Sequence, residues 1–263
     1  MHDKKNGICT TAYGLKLVAI LTMLVDHTAT ALLLLCRRLS QGRTIYETMR
    51  GIGRMAFPLF CFLLVEGFSH TRSRWRYLGG LVAFAVISEL PSDLFFRSWE
   101  RRGDALSIFA TLSLGLLCMI LSDRLAQWCG GKKNGKPVAV LGCGALAAAA
   151  VLLGEALHVE YDGEGVALIL MIFYAEKLAP SARVTDTRRW KNAMAVLAIA
   201  AWLIAYDVRV SHGLNETYGL VAALPLALYG GERGSYRLPK WFFYVFYPAH
   251  LLVLIGIRAW IAR

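Results

Sequence analysis

No feature of this chain constrains its fold more than the recurrence, from one end to the other, of apolar stretches long enough to cross a bilayer. LVAILTMLV, LLCMILSD, VAVLGCGALAAAAVLL, VALILMIFY and AMAVLAIAAWLIAY sit in segments near the ~20 residues that a membrane-spanning helix needs. Water is absent at that depth, so backbone N–H and C=O groups must pair within each helix. Composition agrees: hydrophobic residues make up 57% and charged residues 18%, against the ~45–50% and ~25% of globular chains. A soluble catalytic domain is excluded. Nine helices are predicted, over Tyr13–Leu35, Ile52–Phe68, Tyr77–Phe96, Ala105–Ser122, Val138–Leu157, Gly163–Leu178, Trp190–Tyr206, Thr217–Tyr229 and Trp241–Ile261. The expected architecture is all-α, a polytopic membrane bundle of about nine transmembrane helices forming one domain over residues 1–263, with only loops between the spans.

A net charge of +11 would suggest nucleic acid as the partner of a soluble protein. Here Lys and Arg gather in the short connections, where they read as topology and contact with membrane lipids, and no nucleic-acid partner is expected. With a cytoplasmic N-terminus, the inside segments are the N-terminal tail, HTRSRWR, the stretch around GGKKNGK, EKLAPSARVTDTRRWKN and GGERGSYRLPK, which hold more than half of the 29 basic residues. The outside loop HVEYDGEG holds none. This predicts a multi-pass protein of the cell (inner) membrane, N-terminus in and C-terminus out; the Arg-rich outside loops CRRLSQGRTIYETMRGIGR and RSWERRGD are the exceptions. The first apolar stretch reads as a retained span, since no cleavage-like pattern follows it. Cys9, Cys36, Cys61, Cys118, Cys129 and Cys143 show no C-x-x-C spacing, which indicates neither a disulfide framework nor a zinc site. The acidic loop with Glu155, His158, Glu160 and Asp162 lacks fixed ligand spacing, and no metal is expected there.

An ionisable side chain inside a span costs several kcal/mol and demands an account. The first helix, GLKLVAILTMLVDHTA, carries three: Lys16, Asp26 and His27. Lys16 and His27 are 11 positions apart, about three turns with ~20° left over and ~16 Å of depth. They share a face, with Lys16 at the cytoplasmic mouth and His27 near the bilayer middle. This suits a donor that enters head-outward from the cytoplasm and presents its reactive end to a neutral imidazole acting as general base. Asp26, ~100° around the helix, is placed to orient a neighbouring helix, to reach the imidazole through a water, or to form a polar knot.

In RGIGRMAFPLFCFLLVEGFSHTR, Arg50 and Arg54 share a face at the outer end, where they are candidates for steering an acceptor. Pro58 predicts a kink and a freed carbonyl. Glu66 falls at the depth of Lys16, suited either to an ion pair with it or to a direct role on the substrate. Arg72, Arg74 and Arg76 in the next loop suit a phosphate clamp or a positive-inside flank. Glu89, in ISELPSDLFF, comes close to the depth of His27 and is the best second carboxylate; spacing leaves open whether it orients His27, contacts the acceptor or pairs with Arg54. His250, approached by Tyr244, Tyr247 and Pro248 in FFYVFYPAHLLVL, is a further candidate for the substrate site.

The stretches LKLVAILTMLVDHTA, RGIGRMAFPLFCFLLVEGFSHTRSRWRYL, ISELPSDLFF and FFYVFYPAHLLVL resemble the TraX family of multi-spanning membrane proteins, which includes the pilin acetylation protein of conjugative plasmids. TraX-like proteins are in turn similar to the acyltransferase family 3 of membrane O-acyltransferases. There a Lys or Arg, ten residues and a His mark the site, a pattern that Lys16 and His27 reproduce. That family also carries two arginines spaced by two after the second helix; the spacing of Arg72, Arg74 and Arg76 departs from it. The resemblance implies acyl transfer from cytoplasmic acetyl-CoA, across the membrane, to an acceptor at or beyond the outer face; a pilin amine, a glycan hydroxyl, a lipid headgroup or a small molecule would each suit an outward-opening pocket, and no metal is expected. The competing reading is a proton-coupled small-solute transporter that uses Asp26, His27, Glu66 and Glu89 as a relay. Related halves with matching interrupted helices, usual in transporters, are not visible. A non-catalytic assembly protein is the third reading.

Overall fold

The computed structural model describes residues 10–32, 39–96, 105–132, 134–178, 187–208, 216–235 and 237–261. Cys9, Cys36, the pair Arg37 and Arg38, and the whole of RSWERRGD lie outside the described residues. Regular structure among the described residues is helical: α1 (Ala12–Ala31), α2 (Gly42–Gly53), α3 (Ala56–His70), α4 (Arg74–Phe96), α5 (Ile108–Cys129), α6 (Gly135–Ala156), α7 (Asp162–Lys177), α8 (Thr187–Tyr206), a 3₁₀ segment (Glu216–Ala222) running into α9 (Ala223–Ala227), and α10 (Lys240–Ile261).

Each predicted helix falls on one of these elements, but the lengths differ. Among the described residues six are long and apolar enough to cross a membrane: α1, the Gly42–His70 stretch that α2 and α3 make up together, α4, α5, α6 and Trp241–Ile261 of α10. The expectation of nine spans is therefore reduced to six candidates by length and composition. α7 has 16 residues, ~24 Å of helix, and the Glu216–Ala227 segment gains length from the ~2 Å rise of its 3₁₀ part, reaching ~21 Å. Such short elements suit an interior position, where protein rather than lipid surrounds them. α7 fits that description, since Val166, Leu168, Ile169 and Ile172 are fully buried. α6 is the opposite case: Val140, Leu141 and Leu152 are about 70% exposed or more (72%, 75% and 69%).

Local chemistry explains the break between α2 and α3. Pro58 has no N–H to give Arg54, four residues back, and its ring crowds that carbonyl; the helix parts at Arg54 and Met55. Gly219 of the 3₁₀ segment approaches the same Arg54 carbonyl so closely that a Cβ there would lie 3.0 Å from it. Gly53 plays a similar part toward α1, because a Cβ on it would collide with Asp26.

Contacts between helix ends arrange the elements into alternating directions. At one end, Thr11 caps α1 by accepting from Gly14 N–H at 3.2 Å, Thr10 pairs with Tyr229, and Asp123 at the end of α5 accepts from Arg74 of α4 (2.6 Å) and Lys177 of α7 (3.0 Å). At the other end, Leu106 pairs with Val159, and Thr111 donates to the Glu160 carbonyl at 2.7 Å. We call these the Lys16 end and the Tyr161 end.

Candidate active site

A cavity of about 440 Å³ runs between α1, α3, α4, α5 and α10 from the Lys16 end toward the middle of the bundle. Its mouth is formed by Ala12, Lys16, Glu66, His70, Gly231 and Arg233. Further in, the walls become apolar and aromatic: Leu63, Leu64, Leu81, Leu112 and Phe109, with Met23, Ile108 and Tyr247 also lining it. Lys16 and Met23 are seven residues apart on one face of α1, ~10 Å of depth. The Lys16 ammonium lies over the Phe243 ring, 5.5 Å from its centre.

His27 follows Met23 by one turn of α1 and is 5% exposed. It is not in the cavity wall. Tyr247 lines the cavity and also sets its ring edge-on to His27, with centroids 6.2 Å apart. On the other sides Phe95 and Phe96 of α4 enclose the imidazole at 5.6 Å each. His27 Nδ1 lies 2.6 Å from Nε2 of His250, with the two rings parallel to within 4°. His250 Nδ1 in turn donates to the Phe246 carbonyl at 2.7 Å. The two histidines that the sequence places in its first and last spans thus form one hydrogen-bonded dyad.

The carboxylates are held elsewhere. Glu66 accepts from Arg188 Nη1 at 2.9 Å and Nη2 at 3.0 Å, from the Tyr229 hydroxyl at 2.8 Å and from His70 Nε2 at 3.0 Å. The cation that clamps it is therefore Arg188 of α8, where the sequence offered Lys16. Asp26 accepts from Arg50 at 2.7 Å, and Arg50 also donates to Thr30 at 3.3 Å: the polar knot between α1 and α2. Arg54 donates to the Tyr161 hydroxyl at 3.5 Å. Glu89 accepts from the Ser107 N–H at 3.1 Å, so it tethers the segment entering α5, while the group bonded to His27 is His250. Of the loop arginines, Arg74 is taken up by Asp123 and stacks 4.1 Å over Phe68. Arg72 and Arg76 are exposed at the Lys16 end and do not line the cavity.

Residues 12–258 match the family model described as TraX protein. The chain belongs to the TraX family. Among curated proteins, the probable fimbrial assembly protein FimC, serogroup H1, of Dichelobacter nodosus is 29% identical over 263 residues, covering 94% of this TraX chain and 96% of that protein. No solved structure matches this TraX chain. Its cavity includes residues that the sequence analysis passed over, Met23 and Arg233; Arg188, outside the cavity lining, holds Glu66. Arg188 reads in sequence as one more cation of an inside flank. The signal that singles it out is a second partner for a carboxylate inside a span, which requires a cation from somewhere.

Proposed function

We propose that this TraX protein is an integral-membrane acyltransferase that moves an acetyl group from cytoplasmic acetyl-CoA to an amine or hydroxyl on the outer side, with His27 as general base. The observation that carries the reading is a cavity with Lys16 and Arg233 at its mouth whose inner wall includes Tyr247, the side chain set edge-on against the buried His27–His250 dyad. Lys16 and Arg233 receive the donor at the mouth, with Arg72 and Arg76 exposed alongside for its phosphates, and the thioester arm occupies the apolar bore. Tyr247 lines that bore and also packs edge-on against His27, so the acyl carbonyl passes this side chain to reach the base. His27 takes the acceptor's proton as the acceptor nitrogen or oxygen bonds to the acyl carbon. The C–S bond breaks, and the thiolate leaves as the free thiol once the proton is returned to it.

The Lys16 end is cytoplasmic in this reading, in the inner membrane of the cell, and likeness to acyltransferase family 3 rests on the Lys16–His27 spacing. The fimbrial relative favours a pilin as acceptor. A proton relay through Asp26, His27, Glu66 and Glu89 gains nothing from the geometry, because Arg50, His250, Arg188 and the Ser107 N–H hold these four groups at separate places. The test is acetyl-CoA binding and thiol release by the purified protein in proteoliposomes, with hydroxylamine as surrogate acceptor. His27→Ala is expected to lower turnover by about 10²- to 10⁴-fold while retaining acetyl-CoA binding. Wild-type protein that neither binds nor cleaves acetyl-CoA, and behaves like His27→Ala, ends the proposal.

A further inference from the structure

We propose that His250 is a positioning residue that fixes the tautomer of His27, making Nε2 of His27 the atom that takes the acceptor's proton. The hydrogen-bond chain is anchored at its far end, on the backbone of α10. The Phe246 carbonyl has only lone pairs, so the 2.7 Å contact with His250 Nδ1 requires a proton on that nitrogen. In a neutral ring the other nitrogen, Nε2, then carries a lone pair. This lone pair faces His27 Nδ1 at 2.6 Å, so Nδ1 of His27 is the donor. The remaining nitrogen of a neutral His27, Nε2, is left bare.

The same chain serves the charged state. When His27 Nε2 binds a proton, Nδ1 still donates and His250 Nε2 still accepts, so the imidazolium keeps its partner without any side chain moving. A second imidazole thus does what a carboxylate does for a histidine base in hydrolytic triads, and it does so without burying a negative charge. The packing keeps it in place: His250 is 6% exposed and its ring is stacked on Phe246, centroids 4.9 Å apart at 13°.

The inference rests on the acyl-transfer reading for its kinetic arm, while its spectroscopic arm stands on geometry alone. In full-length protein reconstituted in bilayers and labelled with ¹⁵N-histidine, His27, assigned by loss of its signals in His27→Ala, should show a protonated Nδ1 and an unprotonated Nε2. His250→Leu should move the proton to Nε2 and lower kcat for thiol release by at least about tenfold, with KM for acetyl-CoA within about twofold. His250→Gln, whose amide oxygen still accepts from Nδ1, should recover most of the loss. A wild-type His27 with its proton on Nε2 overturns the proposal, as does a His250→Leu protein with unchanged kcat. If His250→Leu does not fold, the wild-type spectrum and His250→Gln decide. If wild-type protein releases no thiol, the acyl-transfer reading fails, and the spectra alone judge the positioning role.

Discussion

Glu66 draws donors from three directions: Arg188 on α8, Tyr229 after α9, and His70 one turn along its own helix. With its side chain 5% exposed, this carboxylate is costly to strand. Arg188→Met is expected to destabilise the protein by about 3 kcal/mol or more, because it leaves a buried charge without its cation. Glu66→Gln together with Arg188→Met should cost less than Arg188→Met alone, read as midpoints of thermal unfolding in detergent. At this scale the sequence was legible where partners are local and opaque where they are distant. The shared face of Lys16 and His27 follows from helical periodicity. The Glu66–Arg188 clamp joins residues 122 positions apart and the His27–His250 contact residues 223 positions apart; no spacing rule reaches that far. Glu89 looked like a site carboxylate because depth was the only coordinate available, and depth does not report that Ser107 stands beside it.

Helices packed this closely depend on what their contact surfaces lack. Gly53 lets α2 lie against Asp26 of α1, and a larger side chain there pushes apart the two helices that the Asp26–Arg50 pair joins. Gly53→Leu is expected to lower the unfolding midpoint, with a cost of about 2 kcal/mol or more from overpacking and the strained ion pair. Gly79→Ala on α4, where nothing lies within 4 Å of an added Cβ, should be neutral or stabilising by up to about 1 kcal/mol. Circular dichroism melts of the two variants in one detergent check both. Helix positions themselves were readable from apolar runs. Helix ends were not: α2 begins at Gly42, ten residues ahead of the predicted Ile52, because GRTIYETMRGIG is amphipathic and carries its polar face beyond any hydropathy window.

Across the whole molecule, the proposal that the Lys16 end is cytoplasmic gives a definite expectation for orientation. Arg233 belongs to the Lys16 end and Glu160 to the Tyr161 end. In a cysteine-free background, Glu160→Cys should react with an impermeant maleimide in intact cells, and Arg233→Cys only after the membrane is opened; the reverse pattern would place the cavity mouth outside. Charge bias in the sequence already pointed this way. What it could not convey is that nine apolar segments do not play equal parts, since α7 is wrapped by its neighbours while α6 presents most of its surface outward. Under the acyl-transfer proposal, the Tyr247 ring that stands between the bore and His27 has one more consequence. A thioester waiting in the bore would idle one helical turn short of its proton acceptor, so water seeping in behind it would find no base, and the acyl group would be spared until a nucleophile arrived from the far side.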